Sequence, residues 1–483
     1  MAISLLWSNR ATAASVPLSE KLIYRLSLDR AFACVCADVK KRERFFEILS
    51  QWPVCAEDVR MRQAICRDFL DNPDLLERLS ALCARFEELC LSQQQTDREA
   101  RRLRANQLDT FHSAKNILQA RALCLKRALL FVKAFDELLT EFSPSSAAIR
   151  TFAAACREIT EGDAFSELVT LCAKYEQLGS SGFTDLKLTW DSEGRIAYCE
   201  LIDHRYIRVT DPDLRKKGFS LFKREAQEYP CERVHPPYGA AYANLAREAL
   251  SDLSDTFAAV INQLWERFGR ICSELHFYEV AMQYLAMLKR KNIPYCFPII
   301  TDGEMYAERL YDLYLAASAE NASEVVSNDV CMHEMRGMVV YGGNGSGKTV
   351  YLRSIGTMQL LAQAGIPVPC DQAHLPLCTQ IAAQFSEAEK EFCAENEAGR
   401  FEQEVRELAE MVDTLQDGAL VLLNETFQST AYAEGAEGLY HLLRYFSDRG
   451  IRWVLVSHLH PLEPMLDAHD VVILHTSKGF RMK

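Results

Sequence analysis

Three short clusters in this chain carry the residue types that handle phosphate. Gly342 to Thr349 reads GGNGSGKT and satisfies the spacing G-x-x-x-x-G-K-[ST] at every position. In that spacing Gly342, Gly343, Asn344, Gly345, Ser346 and Gly347 turn backbone N–H groups inward on a triphosphate. Lys348 then reaches the β- and γ-phosphates, Thr349 offers a hydroxyl to Mg²⁺, and Val350 follows as the last residue of the cradle. The second cluster is Asn424-Glu425. Asn424 stands where a P-loop protein usually places a Mg²⁺-holding Asp; its amide can accept from a metal-bound water but brings no charge, which predicts lowered metal affinity. Glu425 is placed to orient or deprotonate an attacking water. The third is Ser457-His458, where His458 has the position of a γ-phosphate sensor, although a strand-terminal histidine can equally be structural.

These residues need strands and a helix to present them. Met338 to Tyr341 reads as a short buried strand before the glycine-rich loop, and Val350 to Ala364 as a helix stopped by Gly365 and Pro367. Ala419 to Leu423 is an apolar run of the kind buried on both faces of a parallel sheet, and it ends in Asn424. A further apolar run, Trp453 to Val456, ends in Ser457-His458. Strand, loop and helix in this order predict an α/β P-loop domain.

Upstream, the first 180 residues read as helical. Asn72-Pro73 predicts a helix start with Asn72 as N-cap, after which Leu75, Leu79, Leu82, Phe86 and Leu89 line one face. Similar periodicity runs from Ala120 to Leu139. Leu186 to Trp190, a turn at Asp191 to Gly194, and Ile196 to Ile202 alternate like a hairpin. Leu253, Phe257, Val260, Ile261, Leu264, Phe268, Ile271 and Leu275 predict a long helix with Ser251 as its cap. Such a rod can transmit movement or simply pack. Pro294, Pro298 and Gly303 mark a break before the last third.

Composition narrows the classes. The chain has 483 residues, room for several domains, with 49% hydrophobic and 25% charged residues, as in ordinary globular proteins. No apolar stretch approaches the length of a membrane span, and Ile3 to Trp7 lacks the length and basic flank of a signal peptide. The 17 cysteines, without a C-x-x-C pair, predict buried thiols in a reducing cytoplasm, including Cys34 and Cys36. The net charge is −13, and residues 331–483 hold 12 Lys+Arg against 20 Asp+Glu. Much of that acid lies between Glu387 and Glu410, which reads as a solvated helical face.

The residues after the loop carry a resemblance. Asn344, Tyr351-Leu352-Arg353, Ala362-Gln363-Ala364-Gly365 and Val368-Pro369 resemble the ATPase domain of the MutS family of DNA mismatch-repair proteins. Gly399-Arg400-Phe401-Glu402-Gln403-Glu404 is similar to the family's signature segment, which reaches a partner subunit's nucleotide; Phe401 and Glu404 fit, while Gly399 stands where the family places a Ser. Asn424 to Thr430, Glu434-Gly435 and Ser457-His458 continue the similarity. Ser327 to Val330 resembles the approach to the ATPase domain, where the family stacks an aromatic on adenine and this chain has Val325 and Val326; Val326 is therefore the adenine-side candidate. Asp58 to Gln63, Asp68 to Leu70 and Asn72-Pro73 are similar to the opening of the family's helical core.

The resemblance implies a multidomain protein: a helical segment over 1–55, a mainly α-helical core and lever over 56–310 with a small β patch near 182–210, and an α/β P-loop NTPase domain, ABC-like and of MutS type, over 311–483. It implies ATP and Mg²⁺ as cofactors, hydrolysis aided by Glu425, Lys348 and His458, Mg²⁺ at Thr349 and Asn424, a homodimer, and DNA as partner, with no membrane. The core-like segment begins near residue 56, so the family's mismatch-reading Phe-x-Glu wedge domain is not expected. The tripeptide itself recurs at Phe45, Phe86, Phe135, Phe165, Phe277 and Phe385 and marks nothing. Candidate phosphate contacts are Lys40, Lys41, Arg42 and Arg44; Arg98, Arg101, Arg102 and Arg104; Arg215, Lys216 and Lys217; and Lys289, Arg290 and Lys291, each of which can equally be a solvated face. The rival readings are a nucleotide-gated protein-interaction module with weak ATPase activity, and an ABC-type chromosome-maintenance ATPase, whose Leu-Ser-Gly-Gly signature the chain lacks.

Overall fold

The computed structural model describes residues 3–8, 20–51, 53, 55–106, 110–176, 182–190, 196–206, 239–333, 335–385, 397–427, 430–467 and 470–483. The helices in chain order are α1 (Glu20–Arg25), α2 (Leu28–Val35), α3 (Val39–Leu49), α4 (Ala56–Asp71), α5 (Pro73–Ala105), α6 (Phe111–Phe142), α7 (Ala147–Thr160), α8 (Ala164–Glu176), α9 (Gly239–Arg290), α10 (Leu313–Ser318), α11 (Lys348–Gln363), α12 (Glu397–Thr414) and α13 (Tyr432–Asp448). The strands are β1 (Gly182–Trp190), β2 (Ile196–Tyr206), β3 (Ile299–Thr301), β4 (Tyr306–Leu310), β5 (Asn328–Cys331), β6 (Gly337–Tyr341), β7 (Gln372–Pro376), β8 (Ile381–Phe385), β9 (Leu420–Asn424), β10 (Arg452–Ser457), β11 (Val471–Ser477) and β12 (Arg481–Met482). The chain packs as two compact units, one built on Asp74–Pro144 and Ile149–Ser273, the other on Ser4–Pro73, Ser145–Ala148 and Glu274–Lys483.

The first unit is helical apart from the antiparallel β1–β2 hairpin, whose register pairs Leu188 with Cys199. The turn read at Asp191 to Gly194 lies outside the described residues. α5 buries Leu75, Leu79, Phe86 and Leu89, as its periodicity predicts, while Leu82 stays partly exposed. α5 starts at Pro73 as read, but Asn72 donates its side-chain amide back to Asp68 O at 3.3 Å. It therefore closes α4 instead of capping α5, because α4 runs up to Asp71 and leaves a carbonyl in reach. α6 opens with a capping box, Ser113 N–H donating to Thr110 Oγ1 at 3.2 Å and Thr110 N–H to Ser113 Oγ at 2.7 Å. Aromatic side chains fill the space between the helices: Phe86 meets Phe135 and Trp265, and Phe152 meets Phe135 and Phe268, at centroid separations of 5.5–6.1 Å. Ser251 does not cap a helix. It lies inside α9, a 52-residue helix that begins at Gly239, so the backbone groups at Ser251 are bonded within the helix.

The second unit holds a six-stranded sheet in the order β12-β11-β6-β10-β9-β8, parallel except for β12, and a mixed four-stranded sheet in the order β3-β7-β4-β5. Every residue of β6 and of β9 is buried, which is why both read as unbroken apolar runs. Leu439, Leu443 and Phe446 of α13 join Val421, Leu423 and Trp453 in the core of the larger sheet. α11 leaves β6 through the glycine-rich loop and ends where expected. Gly365 adopts a φ of +79°, with its N–H on Ala362 O at 3.0 Å and the Ile366 N–H on Leu361 O at 2.9 Å, a Schellman closure that a β-carbon would strain. Among the described residues no helix is long and apolar enough to cross a membrane.

Candidate functional site

In a parallel sheet the carboxyl ends of the strands face one edge, and the candidate residues collect there. β6 runs into Gly342, β9 ends in Asn424, and β10 ends in Ser457, just before His458. β6 pairs with β10 and β10 with β9, so the three strand ends are neighbours. Gly345 and Gly347 hold φ of +71° and +92°, which L side chains resist, and Gly347 caps the start of α11. The loop therefore brings the positive end of a 16-residue helix to this edge.

Lys348 is only 4% exposed and lies across this edge. Its Nζ donates to Gly342 O at 2.8 Å and Gly343 O at 3.0 Å, and sits 3.2 Å from His458 Nε2 and 3.4 Å from Glu425 Oε1. Glu425 Oε1 is in turn 3.1 Å from His458 Nε2. The Glu425 backbone is unusual for a non-glycine residue, with φ of +60°, and its N–H donates to Val456 O at 2.9 Å. Strain of that kind persists where neighbours over-determine it, and it turns the carboxylate off the strand line toward Lys348 and His458. Thr349 Oγ1 donates to Asn424 Oδ1 at 2.9 Å. Thr349 and Asn424 would hold a Mg²⁺ ion, Thr349 through its hydroxyl and Asn424 through a metal-bound water. Among the described residues no group of three or more His, Cys, Asp or Glu could hold a metal. Ser346 Oγ is buried without a partner among the described residues, a polar atom that an incoming phosphate oxygen would satisfy.

The structure thus brings Lys348, Thr349, Asn424, Glu425 and His458 together around the carbonyls of Gly342 and Gly343. Asn344 lines a cavity of 510 Å³ with Tyr432, His458, His460 and Pro461. Val350 is partly exposed in the first turn of α11, and Val326 is 37% exposed just before β5 whereas Val325 is buried. Gly399 to Glu404 lies at the start of α12, where the side chain of Phe401 is outside the described residues.

Several participants are not visible in local sequence. Tyr432 and His460 reach the cavity from the start of α13 and from the turn after His458; the His-x-His spacing is the only local signal for either. Thr426 donates to Gln384 Oε1 at 2.5 Å, tying the segment after β9 to β8. Phe480 lies beside Gly347 from the far C-terminal hairpin.

Other candidates separate on inspection. Lys41 pairs with Glu279 at 2.7 Å, Arg44 with Glu47 at 2.5 Å, Arg104 with Asp255 at 2.9 Å, and Lys291 donates to Ala317 O and Ala319 O. Arg98, Arg101 and Arg102 stay exposed near the end of α5. Arg215, Lys216 and Lys217 lie outside the described residues. Of the close cysteine pair, Cys36 is buried as expected but Cys34 is exposed, because it falls on the outer side of α2. Elsewhere burial pushes the Cys66, Cys90 and Cys378 thiols up to about 12, which keeps them protonated and unreactive.

Residues 338–478 match the family model of MutS domain V. The chain is 24% identical over 279 residues to the DNA mismatch repair protein MutS of Lactobacillus delbrueckii subsp. bulgaricus, covering 56% of this chain and 32% of that protein. It is 22% identical over 263 residues to DNA mismatch repair protein MSH3 of Scheffersomyces stipitis, covering 54% and 24%, and 24% identical over 270 residues to DNA mismatch repair protein MSH2 of Arabidopsis thaliana, covering 53% and 27%. The matched region spans about a quarter to a third of these relatives, whose length it does not approach. Residues 338–478, which include the glycine-rich loop, are thus similar to domain V of the MutS family.

Proposed function

We propose that residues 311–483 form an ABC-like P-loop domain of MutS type that binds and hydrolyses ATP, and that a homodimer of this chain uses the nucleotide to control its hold on DNA in a repair-related process. The observation that carries the reading is the convergence of Lys348, Glu425 and His458 within 3.4 Å of one another at the strand ends, beside the Thr349–Asn424 pair. Lys348 exchanges the carbonyls of Gly342 and Gly343 for phosphate oxygens. Glu425, released from Lys348, orients the attacking water and accepts its proton, and His458 donates to the γ-phosphate. Thr349 and Asn424 would hold Mg²⁺, which would supply neutralising charge to the phosphates. The neutral Asn424 makes that hold weaker than a carboxylate would, and slow turnover is expected.

DNA as the partner rests on what the relatives are named for and on Arg98, Arg101 and Arg102, which stay exposed along α5 and offer sequence-blind phosphate contacts. ATPase rates with duplex, mismatched and branched DNA across a salt series, with the molecular mass measured with and without ATP, test the reading. Stimulation by DNA that declines with salt, and an ATP-dependent dimer, are the expected results. Asn424 also favours a second reading, a nucleotide-gated interaction module with feeble hydrolysis and a protein ligand. Failure to bind every DNA at low salt would select it.

A further inference from the structure

We propose that Phe480 is the stacking platform for the base of the bound nucleotide, supplied by the C-terminal hairpin. The inference rests on the P-loop reading above and assigns the end of the site that the glycine-rich loop leaves open. A phosphate cradle holds only the charged tail of a nucleoside triphosphate. The base needs an apolar face, and the approach to β5 offers only the aliphatic Val325 and Val326.

Phe480 has what that role demands. Its ring packs on the loop: a β-carbon on Gly347 would lie 3.3 Å from Phe480 Cδ1. Gly347 immediately precedes Lys348 and the first turn of α11, so the ring stands within a nucleoside's length of the phosphate site. Even so, 53% of Phe480 is exposed, an unusual state for a large aromatic side chain placed against a glycine-rich loop. Its backbone φ is +60°, a conformation costly for a bulky residue and one that persists when the surroundings impose it. Those surroundings are specific. Asn328 donates its side-chain amide to Phe480 O at 3.0 Å and accepts from the Met482 N–H at 2.9 Å, while Arg481 donates to Ser327 O at 2.6 Å. Three hydrogen bonds thus tie the end of the hairpin to the strand beside Val326 and aim an apolar ring at solvent next to the phosphate cradle. A purine or pyrimidine would cover the exposed face, and stacking is tolerant of base identity because every base has a π-face.

A mere prop for the glycine-rich loop would also touch Gly347, and the two roles part on the ligand used. Full-length chain, unsubstituted and as Phe480→Ala, Phe480→Leu and Phe480→Trp, is titrated calorimetrically with Mg·ATP and with inorganic tripolyphosphate, which carries the phosphates without a base. Thermal unfolding confirms that each variant is folded. The expected result is a loss of about tenfold in ATP affinity for Phe480→Ala, a smaller loss for Phe480→Leu, full affinity for Phe480→Trp, and unchanged tripolyphosphate binding throughout. Equal losses for both ligands would make Phe480 a loop support, and no loss for either would leave it without a role; both outcomes overturn the platform while the P-loop reading stands. An unsubstituted chain that binds neither ligand would remove the P-loop reading and the platform together.

Discussion

Two buried cations, one in each unit, look alike by exposure and differ in everything else. Arg121 of α6, 5% exposed, is held by Asp97 at 2.7 Å, by Asp255 at 2.8 Å and by the Ser254 hydroxyl at 3.0 Å. Its partners sit on α5 and α9, helices whose positions are set by a packed aromatic core. Lys348, 4% exposed, is held by two loop carbonyls, a histidine and a carboxylate on strained backbone. Burial therefore does not distinguish the two cations; the nature of the partners does. Carboxylates on neighbouring helices form a fixed clamp, whereas carbonyls of a glycine-rich loop at a helix N-terminus can be exchanged for phosphate.

Lys348→Ala should break the comparison most sharply. Nucleotide binding falls below detection in calorimetric titration while the urea midpoint stays close to that of the unsubstituted chain; retained binding would put Lys348 in the same class as Arg121. Next comes Glu425→Gln, which keeps the partner's shape and loses its charge. Binding persists and steady-state turnover drops about 10²- to 10⁴-fold, so wild-type turnover in this variant would remove Glu425 from the chemistry.

Arg121→Ala should show the opposite pattern. Loss of the clamp costs about 2 kcal/mol in urea unfolding, less than for a fully enclosed pair because Asp255 is half-exposed, and ATP affinity of the folded protein is unchanged. Asp68 supplies a fixed carboxylate for the same contrast. It accepts from the Ser145 N–H at 2.9 Å, the Ser145 hydroxyl at 2.6 Å and the Ser146 N–H at 2.8 Å. Burial alone would raise its pKa, but these bonds together outweigh burial and hold it below the ordinary 3.8. Because the folded value is depressed, the stabilisation is complete above the unfolded value and is lost as pH falls through the folded one. Asp68→Asn should therefore cost about 1–2 kcal/mol at pH 7, with the two chains converging as the pH drops below that range. The smallest effect is expected from Asn424→Asp, which should lower the Mg²⁺ concentration for half-maximal ATP binding by about 3- to 10-fold; no change would mean that Asn424 does not face the ion.

Much of the sheet unit was legible locally. β6, β9 and β10 are buried on both faces and read as apolar runs, and Gly365 ends α11 because only a residue free of a β-carbon fits its conformation comfortably. Boundaries upstream were harder to read. Ser251 has the side chain of a cap, but α9 continues through it, since packing of the apolar face outweighs a local capping preference. Asn72 closes one helix and not the next because two helices compete for one junction residue. Each compact unit draws on segments distant in sequence, which no local pattern encodes.

GGNGSGKT determined a glycine-rich turn into a helix by itself, since glycine conformations and the lysine spacing act over eight consecutive residues. Asn424, Glu425 and His458 could be nominated from strand ends, but only the parallel register of β6, β10 and β9 decided that they meet Lys348 within hydrogen-bonding distance. Tyr432, His460 and Phe480 were decided by tertiary structure alone. Their closeness to the loop comes from chain crossings and from the antiparallel return of β12 on β11, and no periodicity or spacing encodes contacts between residues so far apart along the chain.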